Sequence, residues 1–142
     1  MQAVLDTNVV VSAAISPRGP SAEIIKAWRA HSFTWVTSPA LLDELERTLR
    51  APRLKRYVAW SGDEITEFLD LVRRLALVVS PARTIDAVKD DPDDNRVLEA
   101  AVAAPVDYVV SGDRDLLSLG SFEEIAIIPP ARLVAIIATG LT

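Results

Sequence analysis

The chain has 142 residues, half of them hydrophobic, enough for one continuous core, and a single domain over residues 1–142 is expected. It has no cysteine and one histidine, His31, which excludes disulfides, thiolate or histidine-rich zinc sites and a cysteine nucleophile. A formal net charge of -5 argues against a broadly basic nucleic-acid binder, though acids gathered around divalent cations can account for part of that balance.

The first element is a short apolar run, Ala3-Val4-Leu5, closed by Asp6, Thr7 and Asn8, which reads as a buried strand ending on an acid. Val9, Val10 and Val11 continue apolar beyond it. Asp6 is either a turn residue or an acid at the ligand-binding end of a central strand. Ser16-Pro17-Arg18-Gly19-Pro20 is a loop, and a helix follows with Ile24, Ile25 and Trp28 on one face. His31 lies just beyond that helix, where it is expected to meet the exposed carbonyls. Phe33 to Thr37 is a second strand, and Ser38-Pro39 caps a helix whose buried stripe is Leu41, Leu42, Leu45 and Leu49.

Between Arg47 and Tyr57 the charge turns basic, with Arg47, Arg50, Arg53, Lys55 and Arg56 and no acid, and Tyr57 and Trp60 close by. Such a stretch holds a phosphate backbone and stacks bases, or is a solvated helix end whose aromatics belong to the core. Ser61 and Glu64 form a capping box that opens a helix with Ile65, Phe68, Leu69, Val72, Leu75 and Ala76 at helical spacing. Leu77 to Val79 reads as a third strand, stopped by Ser80-Pro81.

Four acids then fall within five positions in Asp90-Asp91-Pro92-Asp93-Asp94. Asp91 as N-cap and Pro92 in the first helical position explain some of them, because the first turn favours negative charge, but not all four. The helix runs to Ala104, and Pro105 ends it. Tyr108 to Val110 is a fourth strand running into Ser111-Gly112-Asp113-Arg114-Asp115, so it repeats the N-terminal design of a strand with an acid just past its end. A short helix from Leu116 to Leu119, a fifth strand from Ile125 to Ile128 and a helix from Pro130 to Thr139 complete the chain. Strands alternating with helices predict a three-layer α/β/α sandwich around a parallel sheet of about five strands, with the acids along one edge. Nucleotide-cradling glycine motifs do not occur, and neither a basic leader nor an apolar run of about 18 residues is present, so a cytoplasmic protein without a membrane span is expected.

Carboxylates without histidine or cysteine make a hard-oxygen site suited to Mg²⁺ or Mn²⁺. Such an ion provides a nucleophile from water and stabilises charge on a phosphoryl group without a histidine base, which points to phosphodiester hydrolysis. Leu5-Asp6-Thr7-Asn8, the acids of Ser38-Pro39-Ala40-Leu41-Leu42-Asp43-Glu44-Leu45, Asp91-Pro92-Asp93-Asp94 and Ser111-Gly112-Asp113-Arg114-Asp115-Leu116-Leu117 together resemble the PIN-domain ribonucleases, in order and spacing across nearly the whole chain. The resemblance implies an endoribonuclease using Mg²⁺ or Mn²⁺, with Asp6, Glu44, Asp94 and Asp113 as an acidic quartet. It further implies Asn8 and Ser111 as polar groups holding water or substrate, and Asp91 and Asp115 as secondary acids. Compact members resemble VapC toxins, which implies an RNA substrate, an antitoxin partner and self-association as a dimer. Glu46 competes with Glu44 and Asp93 with Asp94 for the assigned positions, and Arg47, Arg50 and Arg53 are the candidate RNA-backbone contacts. Two rivals are a degenerate PIN fold that binds RNA or protein without cutting, and an aspartyl phosphotransferase, which would need a second Asp where this chain has Asn8.

Overall fold

The computed structural model describes residues 1–140. Its elements are β1 (Gln2–Leu5), α1 (Thr7–Ile15), α2 (Pro20–Arg29), β2 (Thr34–Thr37), α3 (Pro39–Leu49), α4 (Gly62–Leu75), β3 (Leu77–Val78), α5 (Pro92–Val102), β4 (Tyr108–Val110), α6 (Arg114–Leu119), β5 (Ser121–Phe122), β6 (Ile125–Ile128) and α7 (Pro130–Thr139). The strands form one sheet in the order β3-β2-β1-β4-β6-β5, parallel except for the β5–β6 pair. Helices pack on both faces, so the three-layer α/β architecture read from the sequence is the one observed, with a sixth strand added at the edge.

Strand side chains alternate between the faces, and the sequence uses both. Ala3, Leu5, Trp35 and Val110 enter one buried cluster with α1, α2, α4 and Leu133 of α7, while Val4, Val36, Val109 and Ile127 enter the other with α5 and Leu116 of α6. Trp35 meets Trp28 edge-on at 5.0 Å between ring centroids, and Trp60 lies 4.8 Å from Phe68. Trp60 of the basic stretch therefore belongs to the core, whereas Tyr57 is 56% exposed.

Two elements escape the sequence pattern. Val9-Val10-Val11 is on paper only a continued apolar run with no element assigned, yet Thr7–Ile15 is helical, because all three valines are buried between the sheet and neighbouring helices and tertiary packing overrides β-branched preference. The β5–β6 hairpin turns on Glu123 and Glu124, both at positive φ (47° and 71°), the conformation for which Asn-Gly is the usual signal. His31 meets the helix-end carbonyls, as expected of its position, and does so through its backbone. Its backbone closes α2: at φ 62° its N–H donates to Trp28 O at 2.9 Å while Ser32 N–H donates to Ala27 O at 2.9 Å, the Schellman pattern with histidine in the usual glycine position.

The chain runs from β1 outward through β2 to β3, then returns to β4 on the other side of β1. The crevice between the carboxyl ends of β1 and β4 is therefore the topological switch point, where open α/β sheets bind ligands. Asp6 follows β1 directly, and Ser111 follows β4.

Candidate metal centre

Asp6 is 4% exposed, and its Oδ2 accepts a hydrogen bond from the Ser111 hydroxyl at 2.8 Å. Ser111, fully buried, also accepts from Asp113 N–H at 2.9 Å, so one hydroxyl ties the ends of β1 and β4 together. Asp113 is the N-cap of α6, its Oδ1 accepting from Asp115 N–H at 2.7 Å. Asp91 caps α5 in the same way, its Oδ1 accepting from Asp93 N–H at 3.2 Å. Each capping acid thus satisfies a helix end with one of its two oxygens.

Asp91, Asp94 and Asp113 each offer an oxygen within 4.8 Å of the other two. Asp94 lies in the first turn of α5, is 4% exposed, and has a buried Oδ2 without a hydrogen-bond partner. Burial, then the carboxylates of Asp6, Asp113 and Asp91, push its pKa up to about 8. Asp6 is also raised, chiefly by burial, against the lowering effect of Ser111 and with Asp113 adding to the rise. An orphaned buried carboxylate oxygen among crowded acids, with oxygen donors only, fits a hard divalent cation.

Glu44 is half-buried on α3, and its carboxyl is raised by burial, lowered by the Thr7 hydroxyl, and raised again by Asp93 and Asp6. It therefore lies near enough to Asp93 and Asp6 to feel their charge, outside the tight trio. Its competitor Glu46 points elsewhere and pairs with Arg50 at 3.0 Å and Arg73 at 3.5 Å. Asp93 is exposed and outside the trio, where Asp94 stands. Asn8 is exposed at the start of α1, and Asp115 is half-buried beside Asp113.

The three arginines separate. Arg47 is exposed and close enough to Glu44 to lower its pKa, and Arg53 is exposed in a single 3-10 turn. Arg50 is instead a clamp between helices: its guanidinium bonds Glu46, the Thr66 hydroxyl at 2.8 Å and the Gly62 carbonyl at 3.4 Å, which leaves it poorly available to RNA.

The sequence reading overlooked the groups that deliver Asp91. Residues 79–91 form no regular element, and buried side chains of α5 replace a ladder: Asn95 Oδ1 accepts from Ala87 and Val88 N–H at 2.9 and 2.8 Å, its Nδ2 donates to Val88 O at 2.8 Å, and Glu99 Oε2 accepts from Ile85 N–H at 2.9 Å. A four-residue Asn-Glu spacing opposite an irregular stretch is the only sequence signal for this. Asn95→Ala leaves these backbone groups unpaired and is expected to lower stability by about 1–3 kcal/mol, read as a drop in melting temperature. A melt indistinguishable from the parent would show that the segment is held by Ile85 and Val88 alone.

A larger cleft, about 700 Å³ between α2 and α4 and walled by Ala22, Ile25, Trp60, Phe68 and Leu71, contains none of the candidate acids. Among the described residues no helix is long and apolar enough to cross a membrane.

Comparison with known proteins agrees with this architecture. The uncharacterized protein MJ1680 of Methanocaldococcus jannaschii is 28% identical over 119 residues, covering 84% of this chain and 75% of its own. The crystal structure of PAE2754 from Pyrobaculum aerophilum superposes with a TM-score of 0.63 at 17% identity, over 98% of this chain and 90% of that one. The structure of VapBC2 from Rickettsia felis bound to a DNA fragment from their promoter gives 0.56 at 17% identity, over 91% and 98%. At these identities the superpositions speak for the fold. A PIN-domain family model matches residues 2–115, a span that holds every candidate acid from Asp6 to Asp115, and the chain belongs to the PIN-domain family.

Proposed function

We propose that this chain is an endoribonuclease dependent on Mg²⁺ or Mn²⁺, with Asp6, Glu44, Asp94 and Asp113 as its acidic quartet and Asp91 as a further ligand. The observation that carries the reading is the trio of Asp91, Asp94 and Asp113, with oxygens within 4.8 Å and the buried Asp94 Oδ2 left without a partner. A divalent ion, when bound, supplies stabilisation of charge on a phosphoryl group and acidifies water. The residues of the chain hold and orient. Ser111 fixes Asp6 and the Asp113 backbone, Asn8 and Asp115 stand beside the acids, and Arg47 and Arg53 offer positive charge to the backbone of the RNA substrate.

The structure of VapBC2 bound to a promoter DNA fragment is among the folds this chain matches. On that likeness the chain is read as the toxin of a toxin-antitoxin pair, cytoplasmic, with a separately encoded antitoxin and a second copy of itself as partners. The test is cleavage of structured RNA by the purified protein with Mg²⁺, with Mn²⁺ and with EDTA. Internal cuts are expected with either ion and none with EDTA. A folded protein that binds RNA but cuts nothing with either ion would leave a binding module.

A further inference from the structure

Beside the acid trio lies a recess of about 500 Å³ lined by Asn8, Ser12, Ser21, Gly112, Asp113 and Arg114. Asp113 belongs to both, so the recess opens directly alongside the candidate metal centre. Its volume is in the range of clefts for small ligands, about 300–1,000 Å³, and it is too small for a duplex. Asn8 and Ser12 stand four residues apart on α1, hence on one face, and both are exposed, so amide and hydroxyl keep their hydrogen-bonding capacity toward the recess. Arg114 is exposed and, among the described residues, has no carboxylate within ion-pair distance, unlike Arg50, Arg73, Arg83 and Arg96. Among the described residues no aromatic ring lines the recess, so its lining does not offer base stacking. A cleft with donors and acceptors at one wall and a free guanidinium at its mouth matches a sugar hydroxyl next to a phosphate.

We propose that this recess takes the ribose and phosphate of the nucleotide adjoining the cleaved bond, Ser12 reading the 2′-hydroxyl with Asn8 beside it and Arg114 holding the phosphate. The assignment rests on the ribonuclease reading and adds a device for telling RNA from DNA. It is tested by binding rather than cleavage, using fluorescence anisotropy in Ca²⁺ with a short single-stranded RNA and the DNA of the same sequence. The parent is expected to prefer RNA. Ser12→Ala is expected to weaken RNA binding by about tenfold and leave DNA binding unchanged, and Arg114→Gln to weaken both by about tenfold with a shallower salt dependence. Mn²⁺ affinity, measured without nucleic acid, should be the same in all three proteins. RNA preference that Ser12→Ala abolishes supports the recess even if no cleavage is found, in which case the nuclease reading alone falls. Cleavage by the parent together with unchanged RNA and DNA binding in both variants overturns the recess and leaves the nuclease reading standing.

Discussion

RNA cleavage by Asp113→Asn protein is expected to fall by at least about 10²–10³-fold, the effect of losing one preorganised charge-stabilising group, while its melting temperature stays close to that of the parent. The expectation separates chemistry from folding because of how Asp113 is used. Its Oδ1 caps α6 through Asp115 N–H, and asparagine caps a helix as well as aspartate does, so the local fold survives the change. What disappears is the negative charge beside Asp91 and Asp94. Asp6→Asn is a matched second variant, since an amide oxygen can still accept from the Ser111 hydroxyl. Single-turnover cleavage at saturating Mn²⁺, alongside a thermal melt, reads both quantities. Activity within tenfold of the parent in both variants would move the reaction to another site.

The central strands were legible because they are short continuous apolar runs buried on both faces, as Val4-Leu5 and Val109-Val110 are. Capped helices were legible for a different reason, since Ser38-Pro39, Ser61 with Glu64, and Asp91-Pro92 each announce a start by local chemistry, and all three caps form. The α1 helix was not, because the three consecutive valines carry no helical period and only their burial against both the sheet and neighbouring helices decides their conformation. At the site, the acids at the ends of β1 and β4 could be brought together from topology alone. The ranking among them could not: Asp91, read as a secondary acid, stands in the tight trio, while Asp6 and Glu44 stand around it. Helix-wheel angles cannot separate Glu44 from Glu46: Arg50 stands one helical turn beyond Glu46, but the second partner that draws Glu46 away, Arg73, comes from α4 and is out of reach of that pattern. Nor does sequence show that Arg50 is committed to the α3–α4 junction, because its partners Gly62 and Thr66 lie beyond the intervening turn.

The ion-free protein is expected to lose stability as pH rises from about 4 to about 8, and Asp94→Asn is expected to remove most of that slope. Asp94 is raised from 3.8 to about 8 by burial and by the carboxylates around it. Between those values the folded chain keeps a proton on Asp94 that the unfolded chain has released, so raising the pH draws the equilibrium toward unfolding, and the effect levels off once Asp94 ionises in the folded state too. Asp6 and Glu44, raised in the same direction, act with the same sign and leave a residual slope in the variant. Asparagine carries no charge into the buried position, and at pH 8 without divalent ions the variant should be more stable than the parent by about 1–3 kcal/mol, a rise of about 3–8 °C in melting temperature. Mg²⁺ reverses the ranking, because a cation that binds the ionised carboxylates stabilises the parent in proportion to its affinity and has little to bind in the variant. Thermal melts at pH 5 and pH 8, each with EDTA and with Mg²⁺, measure all four quantities. Parallel pH profiles for parent and variant in EDTA would mean that Asp94 already shares its charge with a partner in the folded chain, and the acid trio would then lack the frustration that calls for a cation.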